Sequence, residues 1–170
     1  MKNKINLIAA NGMIAAVYAA LTILLPFQHE QIQVRVAEAL TLLAFFNPLL
    51  APGIVAGCFI ANLFSSVNPL LDAVFGTLHS AVALLFIVKF SKKNLFLASL
   101  WPTVFSFFIG FMIALEVSFG AGAAIFMRDF AFFTLTVMAG QFVAVSVIGF
   151  PLFTLLSKNE KLIELIRRFK

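Results

Sequence analysis

Apolar residues along this chain fall into six runs separated by polar, glycine or proline breaks. The first covers about Asn6 to Phe27 and ends at Pro26 and the polar stretch Gln28 to Gln33. The second, about Val34 to Phe46, is divided from the third, about Ile54 to Ser65, by a turn of Asn47, Pro48, Pro52 and Gly53. After Ser65, Ser66, Asn68 and Pro69 the fourth runs from about Leu70 to Phe90. The fifth, about Leu95 to Phe119, has Trp101 and Pro102 near its start and is followed by a Gly120, Gly122 loop. The sixth, about Phe130 to Leu156, is longer than one crossing needs, with Gly140, Gly149 and Pro151 available to bend or pack it. A membrane-spanning helix takes about 20 apolar residues. The second and third runs are short by that measure, so their ends either start deep in the interface or are covered by other helices. The charged, then apolar amino terminus resembles a signal peptide, but its apolar stretch is too long for one and reads as a retained first helix.

Composition supports the bilayer as solvent. Of 170 residues, 62% are hydrophobic, 11% are charged and 22 are phenylalanine, a balance no ordinary soluble domain reaches. Six helices of about 20 residues use roughly 120 positions and leave only loops and tails. The expectation is a single domain over residues 1–170: an all-α integral membrane protein, a bundle of six transmembrane helices.

The charges then orient the bundle. With six crossings and both termini cytoplasmic, the inner side receives Lys2, Lys4, Lys89, Lys92, Lys93, Lys158, Lys161, Arg167, Arg168 and Lys170, every basic residue except Arg35 and Arg128. The acids Glu30, Glu38, Asp72, Glu116 and Asp129 fall outside, and only Glu160 and Glu164 inside. The net charge of +5 is thus a cytoplasmic-face property suited to anionic lipid, and no basic and aromatic groove suggests nucleic acid. In the tail KNEKLIELIRRFK, Leu162, Leu165, Ile166 and Phe169 recur at helical spacing, which predicts a helix lying along the inner membrane surface.

Polar groups collect at the outer helix ends: Arg35 and Glu38 on helix two, Asn62 on helix three, Asp72 on helix four, Glu116 on helix five, and Arg128 and Asp129 before helix six. Ionisable groups at membrane depth are costly and usually face a cavity or one another. Arg35 and Glu38 could be a local ion pair three residues apart, and Arg128 and Asp129 plain loop charges. Taken together, the set predicts a polar pocket open to the outside at one membrane depth, its excess acid favouring a ligand with hydrogen-bond donors or a positive group. Gln141, mid-helix six, serves either an interhelical bond or the ligand. Ala15, Ala16, Ala19 and Ala20 form two small-xxx-small pairs on helix one that permit close helix approach. Cys58 reads as a buried apolar residue, and His29 and His79 lack metal-ligand spacing. No nucleotide-binding, nucleophile or paired-carboxylate motif is present, so neither an enzyme nor a cofactor is expected.

The run IQVRVAEALTLLAFFNPLLAPGIVAGCFIANLFSSVNPLLDAVFGTL, Ile32 to Leu78, resembles the signature of the QueT family of queuosine-precursor transporters, and the likeness continues through LEV near Glu116 to GFPLFTLLSK, Gly149 to Lys158. Gln141 stands where the pattern has an acid, and Ala44 where it has proline. The resemblance implies a substrate-binding S component of an energy-coupling factor (ECF) transporter in a bacterial cell membrane. It implies a deazaguanine ligand near the outer face, which fits the polar residues read above, so that Arg35, Glu38, Asn62, Asp72, Glu116 and Gln141 are the candidate substrate-binding residues. It also implies that the alanine-rich first helix docks on a membrane coupling subunit served by two cytoplasmic ATPases. An S component for another vitamin or heterocycle, a membrane scaffold with a structural polar cluster and a membrane-embedded enzyme are the alternatives.

Overall fold

The computed structural model describes residues 2–25, 34–64 and 68–169, and all regular structure among them is helical. The helical segments are α1 (Lys2–Leu24), α2 (Val36–Phe46), α3 (Pro48–Asn62), α4 (Pro69–Phe90), α5 (Leu95–Ser118), α6 (Ala123–Leu156) and α7 (Glu160–Arg167). Four of them, α1, α4, α5 and α6, are long and apolar enough to cross a membrane, and α2 and α3 are shorter apolar helices. Asparagine sets several starts by accepting a backbone N–H of the first turn: Asn47 from Leu49, Asn68 from Leu71, Asn94 from Leu97 and Asn159 from Leu162.

Three boundaries differ from expectation. Pro52 and Gly53 lie inside α3, and the turn before it narrows to Asn47. Proline is tolerated there because the first-turn N–H it lacks would have no helical partner. α6 begins at Ala123, directly after Gly120 (φ 84°) and Gly122 (φ 95°), so Arg128 and Asp129 are helical and not loop charges. The helix accommodates them because Asp129 is bonded by Ser118 and by Arg128, whose own side chain is 72% exposed. α5 breaks at Phe105 and Ser106. There the Ser106 N–H turns to Thr103 O at 3.2 Å, and the freed Pro102 carbonyl accepts from His79 Nε2 at 2.8 Å and Ser106 Oγ at 3.1 Å. His79 is therefore a buried partner for a displaced carbonyl, and among the described residues no three His, Cys, Asp or Glu could hold a metal.

Cross-helix pairs give each helix its direction. Gly53 N donates to Asn11 Oδ1 at 2.6 Å and Gly57 packs on Ala15, so α1 and α3 run parallel. Arg35 meets Asn62, Cys58 meets Ser80, His79 meets Pro102 and Ser99 meets Ser146, so α2, α4 and α6 run against α3 and α5. This alternation brings Lys4, Lys89, Lys92, Lys93, Lys158, Lys161, Arg167 and Arg168 to one end of the bundle, as the charge argument requires of an inner face. Arg35, Asn62, Asp72, Glu116, Arg128 and Asp129 lie toward the other, hereafter outer, end.

The short helices are closed off by other elements. Asn11 of α1 accepts the Gly53 N–H and donates to Leu49 O, satisfying the start of α3 from a neighbouring helix. Asn47 Nδ2 donates to Ile166 O at 2.7 Å and Phe169 O at 3.1 Å, so the tail helix α7 covers the α2–α3 turn. At the α2–α3 turn, then, these helices are covered by other elements.

Gly53 and Gly57 are spaces occupied by α1: a Cβ on Gly57 would come within 2.7 Å of Ala15 O and 2.8 Å of Tyr18 Cβ. Ala15 and Ala19 are buried there, whereas Ala16 and Ala20 are exposed along with Gly12. The four alanines therefore do not share one free face, because α3 takes one pair.

Gly57→Ala is expected to lower bundle stability by about 1–3 kcal/mol through overpacking against backbone, whereas Gly12→Ala, with nothing within 4 Å of its Cβ, is expected to leave it unchanged or raised. Melting in detergent checks the contrast. Asn47→Ala is expected to free the tail helix, seen as faster proteolytic removal of residues after Lys158 with the rest of the chain intact.

Candidate functional site

The winding of α2 prepares the site. Val36–Leu42 is a 3-10 helix, in which residues three apart eclipse, so Glu38 and Thr41 form one inward-facing column, with Arg35 preceding it as the non-helical N-cap residue. All three are buried, Glu38 with no accessible surface. A carboxylate in that position requires donors. Glu38 Oε1 accepts from Tyr18 Oη of α1 at 2.6 Å and from Ser80 Oγ of α4 at 3.1 Å. Arg35 Nη1 donates to Asn62 Oδ1 at 3.0 Å, and Asn62 Nδ2 to Cys58 Sγ at 3.4 Å. Cys58 Sγ in turn lies 3.3 Å from Ser80 Oγ and 3.5 Å from Gly76 O. One hydrogen-bonded chain, Arg35 to Asn62 to Cys58 to Ser80 to Glu38 to Tyr18, thus joins α1, α2, α3 and α4. Among the described residues no ion pair joins Arg35 to Glu38, because the guanidinium is turned to Asn62 instead. Gly76 is required beneath that amide: a Cβ there would collide with Asn62 Nδ2.

Gln141 belongs to the same end of the bundle. It is 2% exposed and ends the α-helical part of α6, where the wider π-helix Phe142–Gly149 begins and packs on the 3-10 helix of α2. Gly149 sits against Ala39, with 3.0 Å between the Cβ positions. Gln141 lies eight residues before Gly149, farther toward the outer end.

Several buried polar atoms of these side chains have no protein partner: Arg35 Nε, Glu38 Oε2 and Gln141 Oε1. Folded proteins pair the great majority of buried polar atoms. The set comprises one donor and two acceptors.

Asp72 and Glu116 form a second group. Asp72 is buried in the first turn of α4, where the helix N-terminus favours an acid. It lies within electrostatic reach of Glu116, which lines a cavity of about 500 Å³ with Asn68, Leu71, Leu115 and Phe119. Glu116 Oε1 is buried and unpaired as well. The expected single layer of polar groups is therefore two clusters at different depths, one built on α2 and one between α4 and α5, with Arg128 exposed and Asp129 bonded to Ser118 at the end of α5. The reason is the reach of each helix: Glu38 and Ser80 are carried inward along α2 and α4, whereas Glu116 stays near the outer end of α5. His29 and the stretch Gln28 to Gln33 lie outside the described residues.

Sequence reasoning missed Tyr18 and Ser80. Tyr18 is the one tyrosine among 24 aromatic residues otherwise made of 22 Phe and 1 Trp, and a hydroxyl inside an apolar helix needs a partner. Ser80 carried no comparable signal, since serine is common in membrane helices and bonds its own backbone readily.

A family model described as QueT transporter matches residues 8–158. Comparison with curated proteins and with solved structures gives no match. The matched span contains the whole Arg35–Glu38–Asn62 network, the Asp72–Glu116 cluster and Gln141, and it reaches from the first helix to the end of α6, so the chain belongs to the QueT transporter family.

Proposed function

We propose that this protein is the substrate-binding S component of an ECF-type importer in a bacterial cell membrane, with six crossings and both termini cytoplasmic, and that it captures a queuosine precursor from the outer side. The ligand is a 7-deazaguanine, queuine or a pre-queuosine base. The observation that carries this reading is the unpaired set of one buried donor, Arg35 Nε, and two buried acceptors, Glu38 Oε2 and Gln141 Oε1. A deazaguanine offers ring and amino N–H donors to such acceptors and a carbonyl to the guanidinium. Asn62 holds Arg35 in place. Asp72 and Glu116, nearer the surface, suit the cation of an aminomethyl substituent or attract a ligand on its way in.

Uptake then requires a partner, since no nucleotide-binding motif is present in the chain. The exposed Ala16 and Ala20 of α1 supply a face on which a coupling subunit can approach closely. That subunit is moved by two cytoplasmic ATPases, and the bound S component reorients so that its site opens inward. Substrate is released because its affinity differs between the two orientations.

Mass spectrometry of protein purified gently in detergent is expected to find a deazaguanine base bound, and a vitamin in its place would overturn the assignment of substrate. Arg35→Ala is expected to weaken binding of that base roughly 10- to 100-fold, the loss for about 1.5–3 kcal/mol of hydrogen bonding to a charged group. Unchanged binding and uptake in Arg35→Ala would remove the pocket from consideration. The double substitution Ala16→Leu with Ala20→Leu is expected to keep substrate affinity while abolishing copurification with the coupling subunit and uptake.

A further inference from the structure

The two oxygens of Glu38 are treated unequally. Oε1 receives hydroxyls from two different helices, Tyr18 of α1 at 2.6 Å and Ser80 of α4 at 3.1 Å, while Oε2 is buried with no protein partner. The Tyr18 contact has the short length of an O–H bonded to a carboxylate. Ser80 Oγ has a single proton and also lies near Cys58 Sγ, and the carboxylate is much the stronger acceptor. Tyr18 is itself rigidly held: 1% exposed, with its Cβ seated over Gly57, where no side chain competes for the space. Donors arriving from both sides on one oxygen fix the plane of the carboxylate and aim the other oxygen.

We infer that Tyr18 is a positioning residue for substrate, which together with Ser80 commits Oε1 of Glu38 to the protein and presents Oε2 to the ligand as a single acceptor. The inference rests on Glu38 being in the substrate site, as proposed above. It has a consequence for specificity. A carboxylate with both oxygens free can clasp two adjacent N–H donors, such as the ring N–H and amino group of a guanine-like edge. Glu38 takes only one such donor. The second is left for another acceptor, for which Gln141 Oε1, also buried and unpaired at the start of the π-helical segment that packs on α2, is the candidate. The arrangement reads two donors with two separately anchored atoms, so a ligand missing either donor leaves a buried acceptor bare and is discriminated against.

The test is calorimetric titration of the full detergent-solubilised chain with queuine and with 7-aminomethyl-7-deazaguanine, using wild type, Tyr18→Phe, Glu38→Gln and the double variant. Tyr18→Phe is expected to lose about tenfold in affinity while still folding, as a cooperative melt shows. In the Glu38→Gln background the same change is expected to cost less than about twofold, because its effect passes through the carboxylate. An equal loss in both backgrounds, or wild-type affinity in Tyr18→Phe, overturns the inference. A second readout needs no ligand: the infrared carboxylate stretch that disappears in Glu38→Gln is expected to shift in Tyr18→Phe, and an unshifted band also overturns it. Failure of wild type to bind either base while that band shifts would count against the proposed substrate and leave the Tyr18–Glu38 arrangement standing.

Discussion

A carboxylate with no accessible surface, in a bundle whose outside is apolar, has to find its donors within the protein, and much of the arrangement around α2 follows from that requirement. Glu38 draws a tyrosine from α1 and a serine from α4, and its neighbour Arg35 draws an asparagine from α3. Each of these bonds crosses between helices, and each is strengthened by the low dielectric around it. They also explain why small residues accumulate nearby. Gly57 lets α1 approach closely enough for Tyr18 to reach Glu38, and Gly76 leaves room for the Asn62 amide that holds Arg35. The packing of α1 on α3 and the polar network are two aspects of one constraint.

The same constraint accounts for the unusual backbone of two helices. An α-helical α2 would rotate successive residues three apart by about 60° short of a full turn, separating Glu38 from Thr41, whereas the 3-10 winding stacks them. It also lengthens a short helix, since each 3-10 residue rises about 2.0 Å in place of 1.5 Å. The facing stretch of α6 is wider than an α-helix over Phe142–Gly149, and Gly149 admits Ala39 at the closest point. Tightening on one side and widening on the other meet beside the buried acceptor of Gln141. Such departures from regular winding border the proposed substrate site, a pattern common in membrane proteins and in π-helical segments generally.

At the opposite end, the structure is held by capping. Asn11 and Asn47 act on backbone groups that short or broken helices leave unpaired, and in each case the bonded group belongs to another segment. α1 therefore has two distinct sides: one carries Asn11, Ala15, Tyr18 and Ala19 into the bundle, and the other keeps Gly12, Ala16 and Ala20 exposed. The helix that bears the free small-residue face is the one that supplies a hydroxyl to Glu38.

Much of this was legible in the chain itself. Apolar runs of membrane length and lysine confined to alternate connections predict the order and direction of the main helices, because the bilayer forces each segment to satisfy its own backbone and penalises misplaced charge. The start of α4 at Pro69 and the Gly120, Gly122 turn were read to within a residue or so for that reason. Which polar residues meet was not legible, since that depends on rotation and depth of each helix against its neighbours. Arg35 and Glu38 look like partners by spacing and are not, Asp72 and Glu116 look coplanar with them and lie apart, and Tyr18 looks like part of a docking helix and instead completes the buried network. Local periodicity determined the elements. Only the tertiary structure decided the site, because hydrogen bonds between helices are set by angles and close approaches that no single segment encodes.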